Sequence, residues 1–468
     1  MKVGRGFFIR QTVLALICVL GPFSSAFAGD AGFENPDRLT PQEADELMFR
    51  HNRDVRNAQY QTETAGTDRD LSLSQAIDIA IERNHDIRLS ALAVKAAEAA
   101  TIIAQAAPNP TLSMQTSNIN PKLGVGAGGL RNKTVDTTIR IDQVIERGGK
   151  RELRTENATY LERASRNDFS EARRQRRIIV SQAYYDLLAA QERLLTTRET
   201  VALFDNTMRA AQIRKKAGDI AGADVDRIQV DALRAKNDAR QAEADLAKAQ
   251  QALAFLLGLG FKEDAIHAAD RWPDVQQAEV SVDDSVIEAR PDVRAAKARV
   301  DAAMAARKLA LALRTRDISV GVQYDHFPSS DTNTLGGGNS YGIGVQIPLF
   351  VRYYYDGEIR NAEAALDTAR ENLDKARDIA RNDLRRTLQD VLSAADRVRR
   401  FQEEILITAK KSADAAEFAF KNGATGVMDV LDARRSYRAT RLEALNAQAD
   451  YAKSLATWRA TALEANTK

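Results

Sequence analysis

Short motifs in the first half of the chain recur in the second half, in the same order and about 205 residues later. The matching pairs are Asp86-Ile87-Arg88 with Asp292-Val293-Arg294, Lys216-Ala217-Gly218 with Lys421-Asn422-Gly423, Asp224-Val225 with Asp429-Val430, and Ala247-Lys248 with Ala452-Lys453. Ordered matches at one spacing indicate an internal duplication, so the two halves should build the same structure. We predict two structural repeats, residues 71–280 and 281–468, after a polar segment at 29–70.

The first 28 residues are typical of a secretory signal peptide. Lys2, Arg5 and Arg10 precede an apolar run at 12–23, and Ala26-Phe27-Ala28 offers an A-x-A cleavage site. A retained membrane anchor is the weaker alternative because the apolar run is short. The only cysteine, Cys18, lies inside this segment, so the mature chain is expected to lack disulfides, thiol catalysis and cysteine metal sites.

Composition favours long helices and excludes a nucleic-acid function. The 468 residues include 67 Lys and Arg against 65 Asp and Glu, a balance without the basic excess that nucleic-acid binding needs. Aromatic residues make up 6% of the chain and charged residues 28%, which together with many alanines is typical of helical bundles and coiled coils.

Each half contains two short segments in which apolar and polar residues alternate, the period of a β-strand. The apolar positions are Val135, Thr137, Ile139 and Ile141, then Ile318, Val320, Val322 and Tyr324, then Tyr341, Ile343, Val345, Ile347 and Leu349, with 111–117 as a weaker fourth segment. Segments of about 8–10 residues can cross a bilayer when tilted. The Gly-, Asn- and Ser-rich stretches 120–133 and 328–340 suit exposed hairpin loops. The alternative, a half-buried sheet of a soluble protein, leaves these strands without a core to pack against.

Helices account for the rest of each half. We predict first helices at 72–107 and 286–314, the former ended by Pro108-Asn109-Pro110. Residues 147–216 and 356–422 contain no proline, which predicts two uninterrupted helices of about 70 residues, roughly 100 Å long. Small and apolar residues spaced four and three apart, as from Leu366 to Ala380, are typical of left-handed coiled coils. The shorter helices of each half should stack end to end along the long one.

Four strands are too few to close a sheet on itself. An open sheet edge in lipid leaves backbone groups without hydrogen-bond partners, so a membrane sheet of this size must be shared among copies of the chain. Closure requires more than one copy and does not fix their number.

Two motifs carry a resemblance to a known family: Ala107-Pro108-Asn109-Pro110-Thr111-Leu112 before the first strand, and Gln143-Val144-Ile145-Glu146-Arg147-Gly148-Gly149-Lys150-Arg151 after the second. With the duplication, strand pairs and helical hairpins, the chain resembles the TolC-like outer-membrane factors, and within them the CzcC-type proteins of heavy-metal efflux. The resemblance implies a mainly α fold with a transmembrane β-barrel, in which three chains give four strands each to a 12-stranded barrel above a long periplasmic coiled-coil tunnel.

The resemblance also implies a function and partners. We expect a passive outer-membrane channel for cations such as cobalt, zinc and cadmium, working with a periplasmic adaptor and an inner-membrane RND pump, in contact with outer-membrane lipid and without a cofactor. The same fold serving drug efflux or type I secretion is one alternative. A periplasmic coiled-coil scaffold without a pore is another, which would not need alternating strand pairs. An enzyme is the least expected class.

The hairpin tips carry the residues expected to form the periplasmic entrance. By match to the family motif, Asp429 and Asp432 narrow the tunnel, and Asp224 is the equivalent position in the first repeat. Residues three apart share a helix face, so copies in a trimer would form carboxylate rings. Alternatively, these acids are N-terminal residues favoured by the helix dipole. The tip glycines expected at the adaptor contact are Gly218, Gly222, Gly423 and Gly426.

Other candidates lie where strand becomes helix. At Gly148-Gly149-Lys150-Arg151 the glycines permit a turn with positive φ, and the basic side chains are expected to reach lipid head groups. Tyr353, Tyr354 and Tyr355 follow the last strand and suit an interfacial aromatic belt, or else ordinary packing at a helix start.

Two expectations are negative. The arginine, tyrosine and aspartate that hold a closed tip in the family correspond here to Thr425, Phe420 and Arg209, so that closure cannot be transferred. No metal or catalytic constellation stands out, because the histidines, which are His51, His85, His267 and His326, are scattered, and so are the methionines.

Overall fold

The computed structural model describes residues 69–119, 135–218, 220–259, 266–275, 284–328, 338–422 and 424–462. The signal peptide with Cys18, most of the polar segment with His51, most of both hairpin loops, and Gly423 lie outside these residues, so the interpretations made for them stay predictions.

The same order of elements occurs twice along the chain. The first set is α1 (Leu73–Arg83), α2 (His85–Gln105), β2 (Thr111–Ser117), β3 (Asp136–Ile145), α3 (Lys150–Lys216) and α4 (Gly222–Leu256). The second set is α5 (Asp284–Ala289), α6 (Pro291–Ala312), β5 (Ile318–Phe327), β6 (Gly338–Gln346), α7 (Asp356–Arg400) with its continuation α8 (Leu406–Lys421), and α9 (Val427–Ala462). Two short strands, β1 (Arg69–Leu71) and β4 (Ile266–Ala268), lie outside this scheme.

The first helix of each half is broken in two, which corrects the prediction of continuous helices at 72–107 and 286–314. Asn84 is extended between α1 and α2, and its side-chain oxygen accepts the Asp86 N–H at 2.9 Å, so it caps a new helix. In the second half Pro291 occupies the first turn of α6 and forces the preceding Arg290 into an extended conformation.

The long helices have the expected dimensions, with one exception. α3 runs through 67 residues, about 100 Å, and α1, α2 and α4 all pack along it, as the stacking prediction required. The predicted uninterrupted helix at 356–422 instead contains a π-helical turn at Phe401–Ile405, between α7 and α8. None of the described helices is long and apolar enough to span a membrane.

The four predicted strands form one antiparallel sheet in the order β2-β3-β5-β6. One sheet face is apolar and open to the surroundings, with Ile343 83% exposed; its exposed residues include Leu112, Met114, Val322, Tyr341, Ile343 and Val345. The register places Arg140 beside Gln323 and Asp142 beside Gly321 on the opposite, polar face. The alternation predicted from sequence is therefore confirmed. β6 ends at Gln346 rather than Leu349, because Pro348 lacks the N–H that a sheet ladder needs.

A second, two-stranded sheet was not predicted. β1 and β4 pair in parallel beside α3, where the Tyr184 hydroxyl donates to the Leu71 carbonyl at 2.8 Å and accepts the Asp270 N–H at 3.0 Å. Tyr184 is fully buried, and burial raises the pKa of its hydroxyl far above the usual 10.0. These bonds tie segments nearly 200 residues apart to the middle of the long helix.

Replacing Glu192 with glutamine is expected to flatten the dependence of stability on pH. The Trp272 indole N–H donates to the Glu192 carboxyl at 2.7 Å, yet burial outweighs this bond and raises the pKa of Glu192 above its usual 4.5. A raised pKa favours the protonated form in the folded chain, so the contribution of Glu192 to stability is complete below about pH 4.5 and declines as the pH rises through the raised value. Glutamine keeps the acceptor without ionising.

The measurement is the thermal unfolding midpoint of both proteins between pH 4 and pH 8. The difference in favour of Glu192→Gln should widen with rising pH, whereas Glu243→Gln, a half-exposed carboxyl on α4, should follow the wild-type curve. Parallel curves for wild type and Glu192→Gln would contradict the assignment.

Candidate functional site

The described residues of the two hairpin tips, 217–218 and 220–221 between α3 and α4 and 422 and 424–426 between α8 and α9, lie at the same end of the molecule. They share one hydrophobic cluster whose buried members are Phe204, Ala211, Val225, Ile228, Ala232, Ala235, Val427 and Leu431. Val225 lies in the first turn of α4 and Val427 begins α9, so this cluster places Asp224, Asp429 and Asp432 at the same end of the molecule.

The three aspartates are placed differently. Asp224 and Asp429 lie in the first turns of α4 and α9, where the helix dipole favours a negative charge. Asp429 and Asp432 are exposed while Val430 and Leu431 between them are buried, so the two carboxylates share the outer face of α9. Asp432 is 68% exposed and bonds Arg435 at 2.9 Å.

The tip glycines also differ from one another. Gly218 has a φ of +83°, a conformation that favours glycine, and a side chain there would enter open space. Gly222 is the first residue of α4 and Gly426 directly precedes α9, both without positive φ. Of the described tip glycines, Gly218 is therefore the one whose backbone conformation favours glycine over other residues.

Two of the positions that correspond to the family's closed tip, Phe420 and Arg209, have contacts of their own within the chain. The Arg214 guanidinium lies 4.9 Å from the centre of the Phe420 ring, a cation–π contact between α3 and α8. Arg209 donates to Asn206 one turn earlier on its own helix. That the closure of the family's best-known member cannot be transferred to this chain stays a prediction.

An arginine row on α9 was missed by the sequence analysis. Its members and partners are Arg434 with Glu417 of α8, Arg435 with Asp231 and Arg438 with Asp238 of α4, and Arg441 with Glu199 of α3. The N–O distances of the last two pairs are 2.6 Å and 2.8 Å. The signal was present in the sequence, because these arginines follow one another at helical spacing and Asp231 and Asp238 are one heptad apart. The last three pairs tie the second hairpin to the first, whereas the pair of Arg434 with Glu417 joins the two helices of the second hairpin.

The strand-to-helix boundary is formed by the predicted residues. Gly148 and Gly149 have φ of +73° and +68°, and a Cβ on Gly148 would lie 2.9 Å from the Thr315 Cβ. Lys150 is 8% exposed and its ammonium bonds Asp317 at 2.9 Å, so its charge is compensated within the chain. The prediction that the Lys150 side chain reaches lipid head groups is therefore wrong. Arg151 is exposed and remains available for that contact.

Arg154 fixes the crossing of helix and strand at this boundary. It donates to the carbonyls of Ala104 and Ala106 at 3.1 Å and to the Glu146 carboxylate at 2.6 Å. The bond to Glu146 raises the pKa of Arg154 above its ordinary value. At the start of α7, Tyr353 and Tyr354 are half exposed, the Tyr353 hydroxyl accepts the Gly357 N–H at 2.9 Å, and Tyr355 is the N-cap residue with a φ of +63°. Helix-start packing therefore accounts for Tyr353 and Tyr355, and the aromatic belt stays a prediction.

Among the described residues, no group of three or more His, Cys, Asp or Glu is arranged to hold a metal ion. His85 begins α2, His267 lies in β4 and His326 in β5, so the described histidines belong to separate parts of the fold.

A family model described as "Outer membrane efflux protein" matches residues 76–259 and 282–462. The chain belongs to this family. This outer membrane efflux protein thus carries two copies of the matching region, and membership agrees with the outer-membrane location expected from the sequence.

Individual relatives of this outer membrane efflux protein bear out the expected TolC-like, CzcC-type resemblance. The cobalt-zinc-cadmium resistance protein CzcC of Cupriavidus metallidurans is 25% identical, over 80% of this chain and 86% of its own. The pyoverdine export outer membrane protein OpmQ of Pseudomonas putida is 25% identical, over 78% and 80%. A solved structure of CusC superposes with a TM-score of 0.71 at 19% identity, covering 84% of this chain and 92% of that one, which shows a shared fold.

Proposed function

We propose that this chain is the outer-membrane channel of a tripartite RND-type efflux system, which passively conducts heavy-metal cations such as cobalt, zinc and cadmium from a periplasmic adaptor and pump to the exterior. The observation that carries the proposal is the sheet, which has an exposed apolar face and a polar face and continues into helices about 100 Å long. An exposed apolar face of this size is expected to contact lipid.

Assembly follows from the open edges of this sheet. β2 and β6 are edge strands, and their unpaired backbone groups need partners in a bilayer. Three copies, each giving four strands, would close a 12-stranded barrel with the polar faces inside, and the helices would continue it as a tunnel into the periplasm. A scaffold without a pore would have no use for the apolar strand face.

The cargo is proposed from the relatives. A metal cargo is supported by the similarity to CzcC, named for cobalt, zinc and cadmium resistance. The similarity to a pyoverdine export protein supports the second candidate, the same channel serving an organic molecule, as in drug efflux or type I secretion. No enzymatic activity is expected. We place the choice among metal ions in the pump and adaptor, and tight stoichiometric zinc binding by the purified chain would contradict this placement.

The experiment that tests the function is growth of a deletion strain with and without a plasmid copy, on zinc, cobalt, cadmium, copper, silver and several dyes. Hypersensitivity to zinc, cobalt or cadmium alone, restored by the plasmid, is the expected result. Sensitivity mainly to dyes, or to copper and silver, would agree with an efflux channel but contradict the cargo proposed here. Unchanged growth, together with no conductance of the purified protein in planar bilayers, would favour the scaffold.

The carboxylates on the outer face of α9 are proposed to form the periplasmic entrance. In a trimer Asp429 and Asp432 would make two rings of negative charge, which attract cations and hold them weakly enough for passage. Asp224 would add charge at the same end, and the turns at Gly218, Gly222, Gly423 and Gly426 would meet the adaptor.

Replacing both Asp429 and Asp432 with alanine is expected to lower cation selectivity in planar bilayers without abolishing trimers. The matched control is Asp367→Ala with Asp374→Ala, which removes the same charge from exposed i,i+3 ion pairs on α7. Reversal potentials under a salt gradient measure the change. Wild-type selectivity in the tip variant would assign these aspartates to helix capping alone.

A further inference from the structure

A connected polar network lies across β3 and β5 on the polar face of the sheet. Arg140 bonds Asp142 through Nε at 2.7 Å and through Nη2 at 2.8 Å, and its Nη1 lies 3.4 Å from the Gln323 oxygen. The Gln323 amide donates to Asp325 at 2.9 Å, and the Thr138 hydroxyl donates to the other oxygen of Asp325 at 2.6 Å. The polar side chains of these two strands are therefore held in one arrangement.

A glycine patch, consisting of Gly321, Gly342 and Gly344, lies next to this network on β5 and β6. Gly321 pairs with both Asp142 and Gly344, and Gly342 pairs with Gln323. A Cβ on Gly321 would lie 2.2 Å from Asp142 Oδ1 and 3.0 Å from Arg140 Nη2, and one on Gly344 would lie 3.4 Å from the same nitrogen. The Arg140 side chain thus crosses over β5 toward β6, in space that any larger residue would fill.

The side chains of this network determine the net charge that an ion would meet on the polar face of the sheet. Arg140 and Asp142 form a bidentate pair and cancel each other at close range. Asp325 has only neutral partners in Gln323 and Thr138, so its carboxylate is not compensated by a cation in this network. Low-dielectric walls around a pore concentrate the electric field of such a charge inside the pore, where it acts on the permeating ions.

We propose that Arg140 is a specificity-determining residue of the conduit: held flat on the glycine patch, it neutralises Asp142 and leaves Asp325 as the net charge of the wall at this level. In a trimer this makes a ring of three carboxylates at the level of Asp325, distinct from the rings proposed at the tips. The wall then favours cations without a side chain projecting into the lumen. The inference rests on the proposed function, because it requires the polar face to line a pore.

Charge variants of purified channels in planar bilayers test this assignment. Arg140→Gln is expected to raise the ratio of potassium to chloride permeability by about twofold or more, because Asp142 loses its counter-charge, and Asp325→Asn is expected to lower the ratio by a similar factor. The double variant Arg140→Gln with Asp142→Asn restores the net charge and should return to the wild-type ratio. If Arg140→Gln alone fails to fold, Asp325→Asn still tests the assignment, because an unchanged ratio in that variant would contradict it.

A variant that changes only the space available on the sheet tests the position of the Arg140–Asp142 pair separately from its charge. Gly321→Ala changes no charge but displaces the Arg140–Asp142 pair from the sheet surface, so single-channel conductance should fall while the permeability ratio stays near wild type. Arg163→Gln, which removes an exposed arginine from α3, is the control for loss of a positive charge elsewhere.

The outcomes distinguish this inference from the proposed function. Wild-type pores whose permeability ratio is the same in Arg140→Gln and Asp325→Asn would overturn the role of Arg140 and leave the channel standing. A double variant that behaves like Arg140→Gln, rather than like wild type, would also overturn it. Folded wild-type trimers without conductance would refute the proposed function, and the inference with it.

Discussion

Replacing Arg290 with alanine is expected to lower the free energy of unfolding by about 3 kcal/mol. Arg290 is 2% exposed at the break between α5 and α6, where its guanidinium bonds Asp292 at 2.6 Å and approaches Asp383 of α7 to 3.6 Å. Removing one member of a buried ion pair leaves the other charges without compensation. We choose the lower end of the usual range because both aspartates retain some contact with water.

The measurement is denaturant unfolding followed by the helical circular dichroism signal in detergent. Arg294→Ala is the matched control, since Arg294 lies one turn later on α6 and is exposed. The midpoint should move for Arg290→Ala and hardly at all for Arg294→Ala. Equal shifts would show that the buried network does not determine stability at this break.

Replacing Gly148 with asparagine is expected to cost about 2–3 kcal/mol, whereas the same change at Gly149 should cost under about 1 kcal/mol. Both glycines have positive φ, which asparagine tolerates better than other residues with a side chain. The difference is steric, because a Cβ at Gly148 would meet Thr315 at 2.9 Å, while one at Gly149 has only Glu152 at 4.0 Å.

This pair of variants controls for backbone conformation, so the difference between them reports the contact with Thr315. We expect Gly148→Asn to reduce the yield of folded protein in the outer membrane and to lower the unfolding midpoint, with Gly149→Asn close to wild type. If both variants are equally impaired, the positive φ rather than the close approach of Thr315 determines the turn.

Features with a regular period were predictable from the sequence. The alternation of Ile139 and Ile141 with Arg140 and Asp142 identified both the strand and its two faces, because side chains of a strand point to opposite sides. The long helices followed from the absence of proline over 147–216 and 356–422, and the order of elements followed from the duplication. These signals are local, so one sequence was enough to find them.

Features set by contacts between distant segments were missed. The pairing of β1 with β4 joins residues nearly 200 apart in segments too short to show a period. The burial of Lys150 depends on Asp317 from the other repeat, and the arginine row depends on acids of α3, α4 and α8. The break at Pro291 is different, because a proline at the first turn of a helix was visible in the sequence and was overlooked.

The π-helical turn at Phe401–Ile405 changes how the chain can vary in length. Leu384, Val391 and Val398 of α7 are buried at intervals of seven, and the series would continue at Ile405 and position 412. Ile405 is instead 42% exposed, and the next buried residue is Ala413, one position later. The turn thus absorbs one additional residue and returns α8 to the seam with α9. Homologous chains that differ by a single residue at this point can therefore keep the same packing on both sides of it, so a one-residue insertion or deletion at the turn can leave the packing of α7 and α8 against α9 unchanged.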